Sequence, residues 1–221
     1  MSFASASLPS AFFSLPGLGV TAVLALIPIL VIAATSFIKI SLVLAILRSA
    51  LGAPGVPPTS VLTALAAVLS LFVMAPVGEQ MLESVQSAQV VPVNEDPWGI
   101  ESARSLCSAA APPLMVFLRT NTPPSEVDFF LSLAGELPGS EADFRVLLPA
   151  FATGEIVDAF VIGFLIYLPF LVIDLIVSTV LLTLGMHMLS PTGISLPLKL
   201  LLFIIVDGWH LLLSGILVNY V

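Results

Sequence analysis

The chain has 221 residues, of which 58% are hydrophobic and only 9% are charged, and its mean hydropathy is +1.16. Soluble domains carry about 25% charged residues, so this composition excludes an ordinary water-facing surface. The net charge of −8 argues against a nucleic-acid-binding surface. The composition therefore predicts a multi-pass membrane protein.

Four segments in chain order are long and apolar enough for membrane-spanning helices, which need about 20 residues each. They cover residues 18–37, 59–77, 159–184 and 196–218. The predicted fold is all-α, with an N-terminal apolar hairpin (1–78), a middle region (79–158) and a C-terminal apolar hairpin (159–221). We expect the first segment to be retained, because nothing before Lys39 is basic, as a cleavable signal peptide requires.

The middle region concentrates the acidity, with twelve acids against three arginines. Its pattern predicts several short helices. One covers residues 98–111 and is ended by Pro112-Pro113, a short piece follows at 114–119, and another helix begins at 122–126, where prolines precede an acid. Pro149 and Gly154 are expected to interrupt the chain before the third span.

The orientation is predicted from the basic residues near the spans. Lys39 and Arg48 fall in the connection between spans one and two, and Lys199 follows the last connection. The positive-inside rule places both connections in the cytoplasm and the 79–158 region outside.

Residues for catalysis or metal binding are not evident. Cys107 is the single cysteine, and His187 and His210 have no Cys or carboxylate at ligand spacing. Glycine-rich phosphate loops and nucleophile or zinc-protease motifs are absent from the sequence. We expect no enzyme, no metal and no cofactor.

Three charged residues lie within the last two apolar segments: Asp174, Lys199 and Asp207. An unpaired charge there is costly, so each should face a partner or a water-filled path. With a hairpin turning at residues 190–191, Asp174 lies level with about residue 207 and about 12 Å from the level of Lys199. This predicts an ion pair between Asp174 and the Lys199 of a neighbouring copy. The alternative is a proton-coupled or small-solute transporter that uses Asp174 and Asp207.

Met186 and Met188 flank His187 on a bend that contains Gly185. Methionine most often fills gaps in a core. Projected into a pore by several copies, the same flexible side chains could seal around variable cargo.

Several ordered motifs resemble the SctR/FliP family of type III secretion export-apparatus proteins. The first half has Thr35-Ser-Phe-Ile-Lys39, Leu47-Arg-Ser-Ala-Leu-Gly52 and Val73-Met-Ala-Pro76. The second half has Leu148-Pro-Ala-Phe151, Pro169-Phe-Leu-Val-Ile-Asp174, Leu184-Gly-Met186, Ile194-Ser-Leu-Pro-Leu-Lys199 and Val206-Asp-Gly-Trp209. The TSFIKI and VMAP versions favour the virulence type over the flagellar type.

The resemblance implies a non-enzymatic core subunit of an export gate for unfolded proteins in the bacterial inner membrane. It implies a homo-oligomer, a pentamer in this family, that assembles with SctS-like and SctT-like subunits and an SctU-like switch protein. Much of the apolar surface would then meet protein instead of lipid, with residues 79–158 on the periplasmic side.

The resemblance also assigns roles to individual residues. Met186, His187 and Met188 fall on the pore gasket, where His187 interrupts a run that is usually all methionine. Asp174 and Lys199 match the ion pair, and a packing and register motif comprises Arg48, Asp207, Gly208 and Trp209.

Overall fold

The computed structural model describes residues 25, 28–53, 55–87, 100–137, 139–218 and 220, with backbone alone for residues 100–103. These residues form α-helices and turns without a strand, which confirms the predicted all-α class. After helical residues 28–33, seven helices follow: α1 (Phe37–Leu51), α2 (Thr59–Ser87), α3 (Ile100–Thr120), α4 (Pro124–Ala134), α5 (Phe144–Thr183), α6 (Pro191–Ile205) and α7 (Gly208–Leu217).

Helix α1 lies where a connection between two spans was predicted. Its apolar residues recur at helical spacing, and Ile40, Val43, Leu44 and Leu47 form a buried face. Gly52 ends the helix in the left-handed conformation, with φ of 71°, and its N–H donates to the Ser49 carbonyl. Most of the predicted connection is therefore a helix with a buried apolar face, which the sequence analysis did not recognise because of the charged residues in it.

Two helices, α2 and α5, are each long and apolar enough to cross a membrane. Helices α6 and α7 pass the same test only together, as a pair bent by 66°. These helices match the second, third and fourth predicted spans. The first predicted span lies partly outside the described residues, and its described part is helical over 28–33 and turns at 34–36.

Helix α3 continues through Pro112 and Pro113, so the prediction that these prolines end a helix is wrong. Pro112 deprives the Ser108 carbonyl of its helical donor. Ser108 and Pro112 are both exposed, so water can reach the Ser108 carbonyl. Downstream, Phe117 and Leu118 are buried against the rest of the chain, and this packing holds the second half of the helix in line.

Helix α5 begins earlier than predicted and includes Pro149 and Gly154, which were expected to interrupt the chain. A Cβ added at Gly154 would lie 2.9 Å from Cδ of Pro123, so this glycine permits close packing of the chain entering α4. The helix has 40 residues and is about 60 Å long, roughly twice the thickness of a bilayer's hydrocarbon core.

Two apolar clusters form the core. The first joins α1 to α2, α5, α6 and α7, and the second joins α2 to α3, α4 and the N-terminal half of α5. Helices α2 and α5 contribute to both clusters, and they run across the proposed segment boundaries at residues 78 and 158. Both clusters leave long apolar faces uncovered, because only 22% of the spanning window of α2 and 17% of that of α5 are buried within the chain.

Candidate functional site

A buried charged cluster, the Lys39 cluster, joins α1, α5 and the end of the chain. The Lys39 side chain is 2% exposed, and its Nζ lies 3.1 Å from Oε1 of Glu155 and 3.0 Å from Oδ2 of Asp158. The Tyr220 hydroxyl donates to Oε2 of Glu155. Lys39 Nζ also lies 4.7 Å from the centre of the Tyr220 ring, at cation–π distance.

Tyr220 completes this cluster. Its ring stacks on Phe117, with ring centres 6.2 Å apart. Burial, and then the neighbouring Glu155 carboxylate, raise the pKa of the Tyr220 phenol above its ordinary value. Tyr220 therefore remains a neutral hydrogen-bond donor at physiological pH.

The sequence interpretation missed the Lys39 cluster. It assigned Lys39 to a connection and counted Glu155 and Asp158 with the acidic middle region. The available signal was the spacing of the two acids, because residues three apart lie on the same face of a helix. A lysine within an otherwise apolar stretch of α1 needed such a pair of acids.

A second charged group, the Lys199 cluster, joins α5, α6 and the C-terminal end of α1. Lys199 Nζ donates to Oδ2 of Asp174 at 2.6 Å and to the Ala50 carbonyl at 2.9 Å. The Ser195 hydroxyl donates to the other oxygen of Asp174, also at 2.6 Å. Lys199 thus binds a carboxylate and one of the carbonyls that the end of α1 leaves without a helical donor.

The predicted pairing of Asp174 with Lys199 from a neighbouring copy is corrected by this geometry, since both belong to the same chain. The error came from the assumed turn at residues 190–191. Helix α5 ends at Thr183 and α6 begins at Pro191, so the turn is centred on His187. Asp174 and Lys199 are then almost equally far from the centre and lie level with each other.

The two buried clusters remove two of the basic residues from which the membrane orientation was predicted. Lys39 and Lys199 were counted as cations that flank membrane spans. The structure instead places each in an ion pair within the chain, with exposed fractions of 2% and 3%. Neither is a free juxtamembrane charge, so the outward placement of residues 79–158 rests on Arg48 and on the family resemblance.

The predicted gasket residues lie on the turn between α5 and α6. Gly185 adopts the left-handed conformation there, with φ of 70°. Met186, His187 and Met188 are all exposed, and the Met188 side chain is 99% exposed. These residues do not fill the core of the chain, which is the ordinary role of methionine.

The predicted packing motif lies at two separate places. Asp207 adopts the left-handed conformation at the break between α6 and α7, with φ of 50°. A Cβ at Gly208 would lie 2.3 Å from the Phe203 ring, and Trp209 packs edge-on against that ring with centres 5.5 Å apart. Arg48 lies elsewhere, near the end of α1, and donates to the Thr59 hydroxyl at the start of α2.

Over the described ranges, no three His, Cys, Asp or Glu side chains are grouped so that they could hold a metal ion. In the Lys39 and Lys199 clusters, the polar side chains form ion pairs and hydrogen bonds between helices. Chemically, these arrangements fix helix register.

Residues 20–216 match the model of the FliP family. The chain is 42% identical to the Yop proteins translocation protein R of Yersinia pestis over 208 residues, which cover 91% of this chain and 94% of that protein. It is 41% identical to the hypersensitivity response secretion protein HrcR of Ralstonia nicotianae, covering 89% and 93%. It is 43% identical to the flagellar biosynthetic protein FliP of Pectobacterium carotovorum, covering 87% and 73%.

Proposed function

This chain belongs to the FliP family, and from that premise we propose that it is a core subunit of a type III secretion export gate of the virulence type. The observation that carries the proposal is the similarity to named translocation and secretion proteins over about nine tenths of both chains. The family match extends over both apolar hairpins and the middle region. A pore for unfolded proteins needs no catalytic group, and we infer that the chain is not an enzyme.

The uncovered apolar faces support an assembled gate. The exposed large apolar residues of α5 include Phe160, Phe164, Leu165 and Leu175, and α6 adds Ile204. Surfaces of this kind need lipid or protein against them. In the proposed assembly a pentamer of this chain, with SctS-like and SctT-like subunits and an SctU-like switch protein, covers them. The gate lies in the bacterial inner membrane, with residues 79–158 on the periplasmic side.

The turn between α5 and α6 is the proposed gasket. Several copies would bring Met186 and Met188 together around the pore, and His187 would lie between them. Their exposure in a single chain supports this role, since side chains of a seal must be free to contact one another and the cargo. Methionine suits it because its unbranched, polarizable side chain adapts to different shapes.

The gasket is tested by the double variant Met186→Ala/Met188→Ala. The shorter side chains should let small ions through the closed gate while the complex still assembles. Ion leakage is measured across vesicles that contain the purified assembly. Leakage equal to that of the unchanged gate would contradict the assignment. Leu137→Ala, which shortens an exposed apolar side chain between α4 and α5 and outside the gasket turn, is the matched control and should leave the gate closed to ions.

The alternative of a proton-coupled or small-solute transporter is not supported. Its two proposed carriers are Asp174 and Asp207, and Asp174 is held by Lys199 and Ser195. Asp207 lies at the break between α6 and α7 and is exposed in the chain. The named relatives are translocation, secretion and flagellar biosynthetic proteins.

Secretion itself tests the function. Cells from which this chain has been deleted should retain their effector proteins, and the intact chain supplied on a plasmid should restore secretion to the medium. Normal secretion in the deletion strain would refute the proposal. Uptake of a small solute that depends on Asp174 would favour the transporter.

A further inference from the structure

A groove that contains Arg48 and several hydroxyl groups separates the end of α1 from the start of α2, and neither the ion clusters nor the proposed gasket uses it. Its volume is about 270 Å³. Four hydroxyl-bearing side chains line it, together with one arginine: Ser41, Ser49, Thr59, Thr63 and Arg48. Its remaining lining is apolar, so the groove offers one positive charge and contains no acid.

Arg48 is the charged group of this groove. The side chain is half-buried, and one of its nitrogens donates to the Thr59 hydroxyl. Among the described residues, no carboxylate lies within ion-pair distance of it. A guanidinium carries five donors in a planar fork, so most of its donors remain available for an anion, and phosphate oxygens match that fork.

The surrounding hydroxyls suit the same kind of ligand. Ser49 and Thr63 donate to the Ala45 and Thr59 carbonyls of their own helices, and Ser41 donates to the Ile38 carbonyl. These bonds leave hydroxyl rotors that can turn outward to donate to an anion. An anion in the groove would thus be held by Arg48 with hydroxyls from both helices.

The position of the groove indicates the source of the anion. Thr59 begins α2, which is long and apolar enough to cross a membrane, so the groove lies at an end of that helix. Lipid headgroups lie at the ends of spanning helices, and basic side chains next to such an end attract anionic headgroups. Val61, in the same first turn of α2, is exposed and can contact an acyl chain.

We propose that the groove between α1 and α2 binds the phosphate headgroup of an anionic phospholipid through Arg48. This site goes beyond the proposed export function and does not depend on it. A bound headgroup would bridge the two helices at the membrane surface, where the chain from residue 52 to 58 connects them. It would also neutralise the one cation in the groove.

The site is tested on the purified full-length chain in detergent, with lipid occupancy measured by native mass spectrometry. Phosphatidylglycerol should bind at least about tenfold more tightly than phosphatidylcholine, and Arg48→Gln should remove that preference, because a charge-assisted bond is lost. Arg145→Gln is the matched control, since Arg145 is exposed in the first turn of α5, away from the groove.

A second variant keeps the test decisive if Arg48→Gln does not fold. Ser49 is exposed, so Ser49→Leu should fill the groove without disturbing the core, and it should weaken phosphatidylglycerol binding by about fivefold or more through exclusion of the headgroup. Equal binding of both lipids, or binding unchanged in both variants, would overturn the proposal. Displacement of phosphatidylglycerol by a few millimolar inorganic phosphate would also overturn it, in favour of a small-anion site.

Discussion

Replacing Lys39 with methionine removes the one cation that holds two carboxylates. Lys39 Nζ lies 3.1 Å from Glu155 and 3.0 Å from Asp158, and at an effective dielectric constant near 20 each pair attracts by about 5 kcal/mol before desolvation is counted. The variant leaves Glu155, which is 1% exposed, without its cation. Breaking a buried pair in this way lowers the free energy of unfolding by about 3–5 kcal/mol. In a chain of this size, Tm falls by about 6–20 °C.

Thermal unfolding of the purified chain in detergent measures this loss, and a second variant tests its cause. Lys39→Met/Glu155→Gln also removes the buried negative charge, so it should be more stable than Lys39→Met alone by about 2 kcal/mol. Arg119→Met breaks only an exposed pair with Glu141 and should change stability by less than about 1 kcal/mol. A double variant as unstable as the single, or a single variant as stable as the unchanged chain, would refute the reasoning.

Two further predictions use the same unfolding measurement. Gly208→Ala should lower the free energy of unfolding by about 1–3 kcal/mol, because the added Cβ would overlap the Phe203 ring. A Cβ added at Gly215, in the same helix, would meet no atom within 4 Å, so Gly215→Ala should be neutral or stabilising. Equal effects of the two variants would contradict the close approach of Gly208 to Phe203. Lys199→Met should lower the free energy of unfolding by about 3 kcal/mol, because it leaves Asp174 without its cation. The exchanged variant Asp174→Lys/Lys199→Asp should not restore stability, because a carboxylate at position 199 would face the Ala50 carbonyl. Full recovery in the exchanged variant would show that the carbonyl contact is unimportant.

The sequence predicted those parts of the fold that depend on long apolar runs. The spanning windows of α2 and α5 are strongly apolar on average, and a helix begins at Pro124, the second of two adjacent prolines, as expected. Each of these features is local, so a short stretch of sequence suffices to predict it.

The parts that failed depend on contacts between distant segments. The helix through Pro112 and Pro113 is held by residues further along it that pack on other helices. Lys39 has the charge typical of a connection, and only the distant Glu155 and Asp158 make its burial favourable. The predicted pairing of Lys199 was wrong because the turn between α5 and α6 was placed about three residues too far along the chain. Such an error moves the residue expected opposite Asp174 by about seven positions.

The sequence indicated the methionine turn in two ways. Gly185 predicted a bend that carries Met186 and Met188, and the resemblance assigned these residues to a gasket. The exposure of this turn is seen only in the folded chain, because the sequence alone does not distinguish an exposed methionine from one buried in a core. The groove at Arg48 was not predicted from the sequence, which used that arginine to predict orientation and assigned it to a packing motif. Hydroxyls of two helices become neighbours only after α1 and α2 have packed together.

Copurification followed by native mass measurement tests the central claim most directly. The chain is expressed with its SctS-like and SctT-like neighbours, extracted in mild detergent and weighed as an intact complex. The account predicts one stable species with five copies of this chain and both partners. A chain that purifies alone as a monomer, while both partners are expressed and folded, would contradict it.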